Sequence, residues 1–340
     1  MTGFGIVGLG VVAEFHKLGV LDNRDKGARL AAVAGRDPQT FPKNAARFGA
    51  PCMSFEELLR APGVDVVCLC SPSGLHAAQA LACARAGKHV LVEKPMALTL
   101  PDADAMIEAF GRAGLLLGVA LQRRTFPLFR RIRQAIEAGD LGRLTAATVT
   151  VPYYRGQDYY DGDAWRGTWA LDGGGALMNQ GIHLADLLTW YMGDPVAISA
   201  MGGTLRRDIE VEDCAGAVMR FAGGAFATFL ATTTAAPGFP HSLCVYGDRG
   251  GIEIEGESLR RWDLADPACA KVAPEAPGCA ARAGAGADPK AIGHAGHAAL
   301  IANFIDALEG GAPLAADGRE GRRSLAAVLG IYRAAGLAPA

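Results

Sequence analysis

Short apolar runs separated by amphipathic stretches set the rhythm of the first third of the chain. Runs at 4–8, 29–34, 64–70, 88–93 and 115–121 alternate with helical patterns near 11–22, 38–48, 73–86 and 99–113. Strands separated by helices of that length predict βαβ units and a parallel sheet. The run VDVVCLCSP shows no polar alternation after Asp65, as a strand covered on both faces requires.

The pattern changes after residue 122. A helix is expected at 126–138, followed by long β-type runs: RLTAATVTVPYY, CAGAVMRFAGGAFATFLATTT and HSLCVYGDRGGIEIEG. Gly223–Gly224 and Arg249–Gly250–Gly251 read as hairpin turns, so this sheet should be largely antiparallel. A helix around 175–192 sits between the runs, and residues 265–293, rich in Ala, Pro and Gly, read as an irregular loop. Two helices close the chain near 295–309 and 319–336. At 340 residues two domains are the expectation. They are an α/β domain over 1–122 and an α+β domain over 123–340 with a large, mostly antiparallel open sheet, whose last helix can pack back on the first.

Composition narrows the function classes. A net charge of −2 gives no basic field for nucleic acid and no polybasic patch for a membrane surface. No apolar run is long enough to span a bilayer. The first strand pattern starts at Phe4, which leaves no room for a signal peptide. The eight cysteines are scattered, and the closest pair, Cys68 and Cys70, shares one apolar strand. That spacing is neither a zinc site nor a disulfide framework, so reduced thiols, a cytoplasmic location and no metal are expected.

Candidate chemistry begins at the first turn. Gly8, Gly10 and Ala13 spell G-x-G-x-x-A after the first strand and at the start of a helix. Gly8 permits the tight turn, Gly10 lets the backbone approach a pyrophosphate, and Ala13 allows close helix–strand packing. The helix start, with Val11 and Val12, supplies N–H donors, so a dinucleotide is expected here. A carboxylate at the end of the second strand would grip the adenosine ribose, but Gly35 stands there and Arg36 follows. Asp37 falls late and should cap the next helix. The missing carboxylate and the guanidinium favour NADP(H) over NAD(H), unless Arg36 stacks on adenine whichever cofactor binds.

Ligands of open α/β sheets bind beyond the carboxyl ends of the strands. Ser71–Pro72 ends one strand and Glu93–Lys94–Pro95 the next, so both should border the nicotinamide. The proline removes a backbone donor and is compatible with a cis peptide. Alone, the Glu–Lys pair could equally be a surface ion pair.

The stretches GIVGLGVVAEFH, SPSGLHAAQALACARAGKHVLVEKPMAL and GGGALMNQGIHLADLLTWYMG resemble the three diagnostic stretches of the glucose–fructose oxidoreductase / inositol dehydrogenase / MocA family. The tail Gly296–Ala335 is similar to that family's C-terminal helices. The resemblance implies a Rossmann domain followed by a mixed sheet whose open face builds homodimers or homotetramers. It also implies a catalytic lysine in E-K-P, here Lys94, and a catalytic histidine, here His183. Many members carry an aspartate four residues before that histidine, where this chain has Asn179. A neutral amide can orient an imidazole or a sugar hydroxyl but leaves the histidine less basic than a carboxylate would.

The side chains suit the oxidation of a secondary alcohol. His183 is the right type for the base, since its ordinary pKa lies near neutrality. Lys94 would hydrogen-bond the same oxygen and stabilise charge growing on it. Glu93 would position Lys94 or the nicotinamide, and Gln122 would line the cofactor site. The i, i+4 spacing places Asn179 and His183 on one helix face, shared by Asp186. Gly173–Gly174–Gly175 would admit cofactor or substrate. Arg124 matches a family position near the site, unless it only pairs with a carboxylate. Tyr154, Arg155, Trp165 and Arg166 mix aromatic and guanidinium groups suited to sugar rings and acidic groups, or to packing. His76 should pack under the cofactor, His16 should lie on the helix surface, and His294 and His297 show no convergent ligand pattern. The activity expected is an NAD(P)-dependent oxidoreductase acting on a sugar, inositol or related polyol. The alternatives are a glycoside hydrolase using transient oxidation and a non-catalytic dinucleotide sensor.

Overall fold

Strand β1 (Thr2–Val7) is buried from Gly3 to Val7, which demands partners on both edges and helices on both faces. It obtains them in a parallel sheet with β2 (Ala28–Ala34), β3 (Cys52–Met53), β4 (Val66–Leu69), β5 (His89–Val92) and β6 (Leu117–Val119). The order is β3-β2-β1-β4-β5-β6. The computed structural model describes residues 1–266, 286 and 293–337, and the chain divides into two compact units. Residues 1–125 with 293–322 form the first unit, and residues 126–292 with 323–340 the second.

In the first unit the chain winds outward from β1 to β3, then returns to lay β4 beside β1. The winding direction reverses at the β1/β4 edge, where open sheets leave a crevice at their carboxyl ends. The connecting helices are α1 (Val11–Asp22), α2 (Phe41–Phe48), α3 (Phe55–Arg60), α4 (His76–Arg85) and α5 (Leu100–Ala113). The short α3 is absent from the helices expected from the hydrophobic pattern. Ser54 and Glu57 form a reciprocal capping box, the S-x-x-E signature.

Residues 293–322, placed by sequence in the second domain, fold instead with the first unit. The reason is the apolar face of α9 (Ala295–Leu308): Leu300, Ile301, Phe304 and Ile305 enter the same core as Phe4, Ile6 and Val20. Gly19 makes room, because a Cβ there would sit 3.0 Å from the main chain of Ala298.

The second unit is built on a seven-stranded sheet, order β13-β12-β11-β7-β10-β9-β8. Its strands are β7 (Leu144–Pro152), β8 (Pro195–Gly203), β9 (Cys214–Phe221), β10 (Phe226–Thr232), β11 (Ser242–Gly247), β12 (Gly250–Glu255) and β13 (Ser258–Leu264). All neighbours are antiparallel except β7 and β10. Gly223–Gly224 turns β9 into β10, as expected, whereas Asp248–Arg249 turns β11 into β12 and Gly250 and Gly251 already belong to β12. The unit's helices are α6 (Pro127–Glu137), α7 (Gln157–Asp161), α8 (Ile182–Met192) and most of α10 (Gly318–Ala335). One face of β9 and β10 is buried through Ala215, Ala217, Met219, Ala227, Phe229 and Ala231. The other leaves Val218, Phe226 and Leu230 about half exposed, beside Met201 at 78% on edge strand β8. The loop expected at 265–293 lies almost wholly outside the described residues. Among them no helix is long and apolar enough to cross a membrane.

Candidate active site

The phosphate turn has the geometry its glycines promise. Gly8 adopts φ +84°, and a Cβ there would lie 2.6 Å from the Ser71 nitrogen and 2.7 Å from the Cys70 carbonyl. Only glycine fits at that crossing of β1 and β4. A Cβ at Gly10 would meet nothing within 4 Å, so its surroundings are open to a ligand. Gly10 is also the N-cap of α1, and no side chain caps that end. The leading N–H groups around Val11, Val12 and Ala13 therefore meet no capping side chain, a helix start suited to an anion. Ala13 is fully buried against the sheet, as close helix–strand packing requires.

At the end of β2 the sidedness of charge is clear. Asp37 caps the next turn by accepting from the Gln39 N–H at 2.9 Å. Arg36 is exposed and has no hydrogen bond or ion pair among the described residues. Gln122 is buried, and its Oε1 has no hydrogen-bond partner among the described residues. These features fit a bound dinucleotide.

The E-K-P tip follows β5 directly. Lys94 is half-buried, and the Lys94–Pro95 peptide is cis. Glu93 is buried, and its carboxylate turns inward: Oε1 lies 2.8 Å from Nε2 of His16 and 3.1 Å from Nε2 of His297. Burial alone would raise its pKa, but the two imidazole donors outweigh that and hold it well below the carboxylate range. The reading of His16 as helix surface is thereby corrected. It faces the core of α1, fully buried, where desolvation pushes its pKa down. His297 likewise converges with a partner the sequence could not supply, because α9 returns to the first unit. His76 is buried at the start of α4, with Nδ1 2.8 Å from the Pro95 carbonyl and Nε2 2.9 Å from that of Ser71. It links the strand ends of β4 and β5. Ser71 donates to Gln79. Arg124 is buried and ion-paired to Glu320.

In the second unit the expected helix at 175–192 opens with a π-helical turn, Ala176–Gly181, before α8. Such turns concentrate at functional sites. Asn179 lies in it and His183 in the first turn of α8, both partly exposed. Asn179 Nδ2 donates to Oδ1 of Asp172 at 2.8 Å, and the other carboxylate oxygen accepts from the Gly167 N–H at 3.0 Å. Asp172 was missed in the sequence; its signal is an acid placed just before the glycine run. Asp186 is buried and accepts from Ser324 in α10.

The glycine run is filled by protein, which corrects its reading as an entry for ligands. A Cβ at Gly174 would fall 2.0 Å from the Tyr332 hydroxyl, and one at Gly175 1.8 Å from the Glu212 carbonyl oxygen. Glu212, also missed, is buried and accepts from the N–H groups of Gly175 (2.9 Å) and Leu177 (2.8 Å) and from Tyr332 (3.0 Å). It ties down the start of the π turn. Of the substrate candidates, Trp165 and Arg166 are partly exposed, with the guanidinium 4.6 Å from the indole and 4.4 Å from the Tyr159 ring. Tyr154 is partly exposed, with Arg207 5.1 Å over its ring. Arg155 is buried and donates to the carbonyls of Tyr154 and Gly286.

Residues 2–121 match the model of the oxidoreductase family with an NAD-binding Rossmann fold, and residues 129–253 match the GFO/IDH/MocA C-terminal domain. The chain belongs to the GFO/IDH/MocA oxidoreductase family. Among curated relatives, the 1,5-anhydro-D-fructose reductase of Ensifer adhaerens is 32% identical over 261 residues, covering 74% of this chain and 75% of that protein. The myo-inositol 2-dehydrogenase of Thermotoga maritima is 29% identical, covering 73% of each. Among solved structures, the WlbA dehydrogenase from Bordetella pertussis, in complex with NADH and UDP-GlcNAcA, superposes with TM-score 0.89 at 33% identity. That alignment covers 98% of this chain and 95% of WlbA. GFO/IDH/MocA membership makes this chain an NAD-type oxidoreductase. The family's N-terminal match contains Gly8, Gly10 and Lys94, and its C-terminal match contains Asn179 and His183.

Proposed function

We propose that the enzyme exchanges hydride between a nicotinamide dinucleotide and a secondary alcohol or ketone of a sugar, inositol or related polyol. The observation that carries this reading is Lys94 at the tip of β5, on the same sheet crest as the Gly8 turn. When bound, the dinucleotide supplies the hydride acceptor or donor. Gly8, Gly10 and the N-terminus of α1 would hold its phosphates, with Ser71, Pro72, His76 and Gln122 bordering it.

The chain's own groups manage the proton. In the direction of alcohol oxidation His183 is the base proposed for the hydroxyl proton, and Lys94 the group proposed to stabilise charge developing on oxygen. An ionised carboxylate only accepts hydrogen bonds, so Asp172 orients the Asn179 amide with its nitrogen inward. The carbonyl end is then an acceptor for the imidazole or a sugar hydroxyl. Asp172 thus restores, one residue removed, part of the polarisation an aspartate at 179 would supply. Trp165 and Arg166 offer an aromatic face and a charge for the sugar ring and its substituents.

The exposed Arg36 and the absence of a carboxylate at Gly35 support NADP(H), although the WlbA complex holds NADH. A panel of sugars, uronates, inositols, keto-sugars and UDP-GlcNAcA, read at the reduced-nicotinamide band with each cofactor, tests both points. A polyol or sugar substrate should appear, with kcat/KM higher for NADP⁺. Arg36→Ala should cut that preference by about tenfold, the loss of a charge-assisted contact. No turnover on any member of the panel sinks the substrate class, and equal use of both cofactors by the native enzyme sinks the NADP preference.

We also propose a homo-oligomer through the open sheet. Met201, Val218, Phe226 and Leu230 share its solvent face by strand register, an apolar patch of the kind that marks an interface. Light-scattering mass should give a dimer or tetramer, reduced by Phe226→Glu; a monomeric native protein refutes it.

A further inference from the structure

Two imidazoles and a carboxylate meet inside the first unit, and the reaction outlined above does not call on the imidazoles. His16, Glu93 and His297 are 0%, 7% and 3% exposed. Both Nε2 atoms approach one oxygen, Glu93 Oε1, at 2.8 and 3.1 Å, and the rings meet edge-to-face with centroids 4.9 Å apart. The second oxygen, Oε2, accepts the main-chain N–H of Lys94 at 3.3 Å. The charged and titratable groups around this carboxylate are Cys68 on β4, Cys70 just after it, His76 on α4 and Lys94 itself.

Such a trio can hold a metal ion or a web of hydrogen bonds. A metal needs both facing nitrogens bare, and among the described residues three donor atoms converge here. A carboxylate oxygen shared by two ring nitrogens at hydrogen-bond distance is satisfied when both nitrogens carry protons. That assignment places each ring in its Nε2–H form and leaves His16 Nδ1 bare, in keeping with its lack of a partner among the described residues.

We propose that His16 and His297 are positioning residues for the reaction: they clamp the Glu93 carboxylate, which in turn fixes the main chain of Lys94 and keeps a negative charge beside it. The proposal rests on the catalytic reading of Lys94. It gives each helix a task. His16 belongs to α1, which carries the phosphate-site N-terminus, and His297 to α9, so the cofactor helix and the returning helix are fastened to the strand tip bearing the lysine. Without the two donors a buried carboxylate protonates rather than remain unpaired. Lys94 would then lose its neighbouring anion and give up its proton at lower pH.

The experiment is a pH profile of kcat/KM for Glu93→Gln, for the double variant His16→Leu/His297→Leu, and for the double variant His16→Gln/His297→Gln. A glutamine amide nitrogen can stand where Nε2 stood and keep donating. Glu93→Gln and the leucine pair should shift the alkaline limb down by about one pH unit and lower kcat about tenfold or more. The glutamine pair should keep the native limb. A readout independent of folding variants is the ¹⁵N spectrum of the native protein, where both rings should be protonated at Nε2 and bare at Nδ1. An unmoved limb in folded Glu93→Gln or in the folded leucine pair overturns the proposal. So does a bare Nε2 in either ring, or one equivalent of zinc retained through purification. Near-normal turnover in Lys94→Ala would instead remove the catalytic reading while leaving the ring protonation untouched, so the two failures are distinguishable.

Discussion

Lys94→Ala should fold like the native protein and lose about 10²–10⁴-fold in turnover, the range for removing a positioned proton-handling or oxyanion-stabilising group. Folding should survive because the side chain is half-buried at a strand end, whereas the residues on either side of it, Glu93 and Pro95, are buried. The loss should fall on kcat more than on the KM for dinucleotide, since Gly8, Gly10 and the start of α1 remain. His183→Ala should cost a comparable factor and also erase the acidic limb of the pH profile. The measurement is steady-state turnover beside thermal unfolding; a folded Lys94→Ala protein within threefold of native turnover would end the assignment.

As pH rises from 5 to 8, Glu212 should withdraw about 2.5 kcal/mol of stability, opposed over the same range by His16 and His76, whose burial-lowered pKa values add stability as pH rises. Burial pushes this carboxyl up from 4.5 to about 7, against the opposing pull of the Leu177 and Gly175 N–H groups and Tyr332. The folded state therefore binds the proton more tightly than the unfolded chain. Stability from this group is fully present below about 4.5 and is lost as pH climbs through about 7. The consequence reaches the site, because Glu212 holds the N–H groups of Gly175 and Leu177 that launch the π turn carrying Asn179. Urea unfolding at pH 5 and pH 8 checks it. Glu212→Gln should lose that part of the slope, and an identical slope in both proteins would show that the carboxyl does not titrate in this range.

Most of the fold was legible because its elements carry strong periodicity. The buried runs of β1 and β4 and the helical patterns of α1 and α5 left little choice. What escaped did so for physical reasons. Strand β3 is two residues long, too short to show a period. Edge strand β8 exposes residues on both faces, so it lacks clean alternation. The return of α9 to the first unit is a tertiary event: its apolar face announces burial but not against what. His16 and His297 were misread for that reason, each being a lone histidine until the other arrives. The candidates Lys94, Asn179 and His183 were legible because each sits in a short contiguous stretch, E-K-P or N-Q-G-I-H. Asp172 and Glu212, which support them, are ordinary acids in the sequence and gain meaning only from the main-chain N–H groups they meet. The glycine run was recognised but assigned to the wrong neighbour, since a missing side chain does not say whether protein or ligand will occupy the space.

The two glycines of the first turn divide labour in a way useful to anyone altering this enzyme. A methyl group at position 8 collides with main chain on the adjoining strand, an obstacle no rotamer change can relieve. At position 10 the same methyl enters vacant space. Damage at the former is damage to architecture, whereas a change at the latter should alter dinucleotide occupancy, as proposed for this turn, without touching the scaffold.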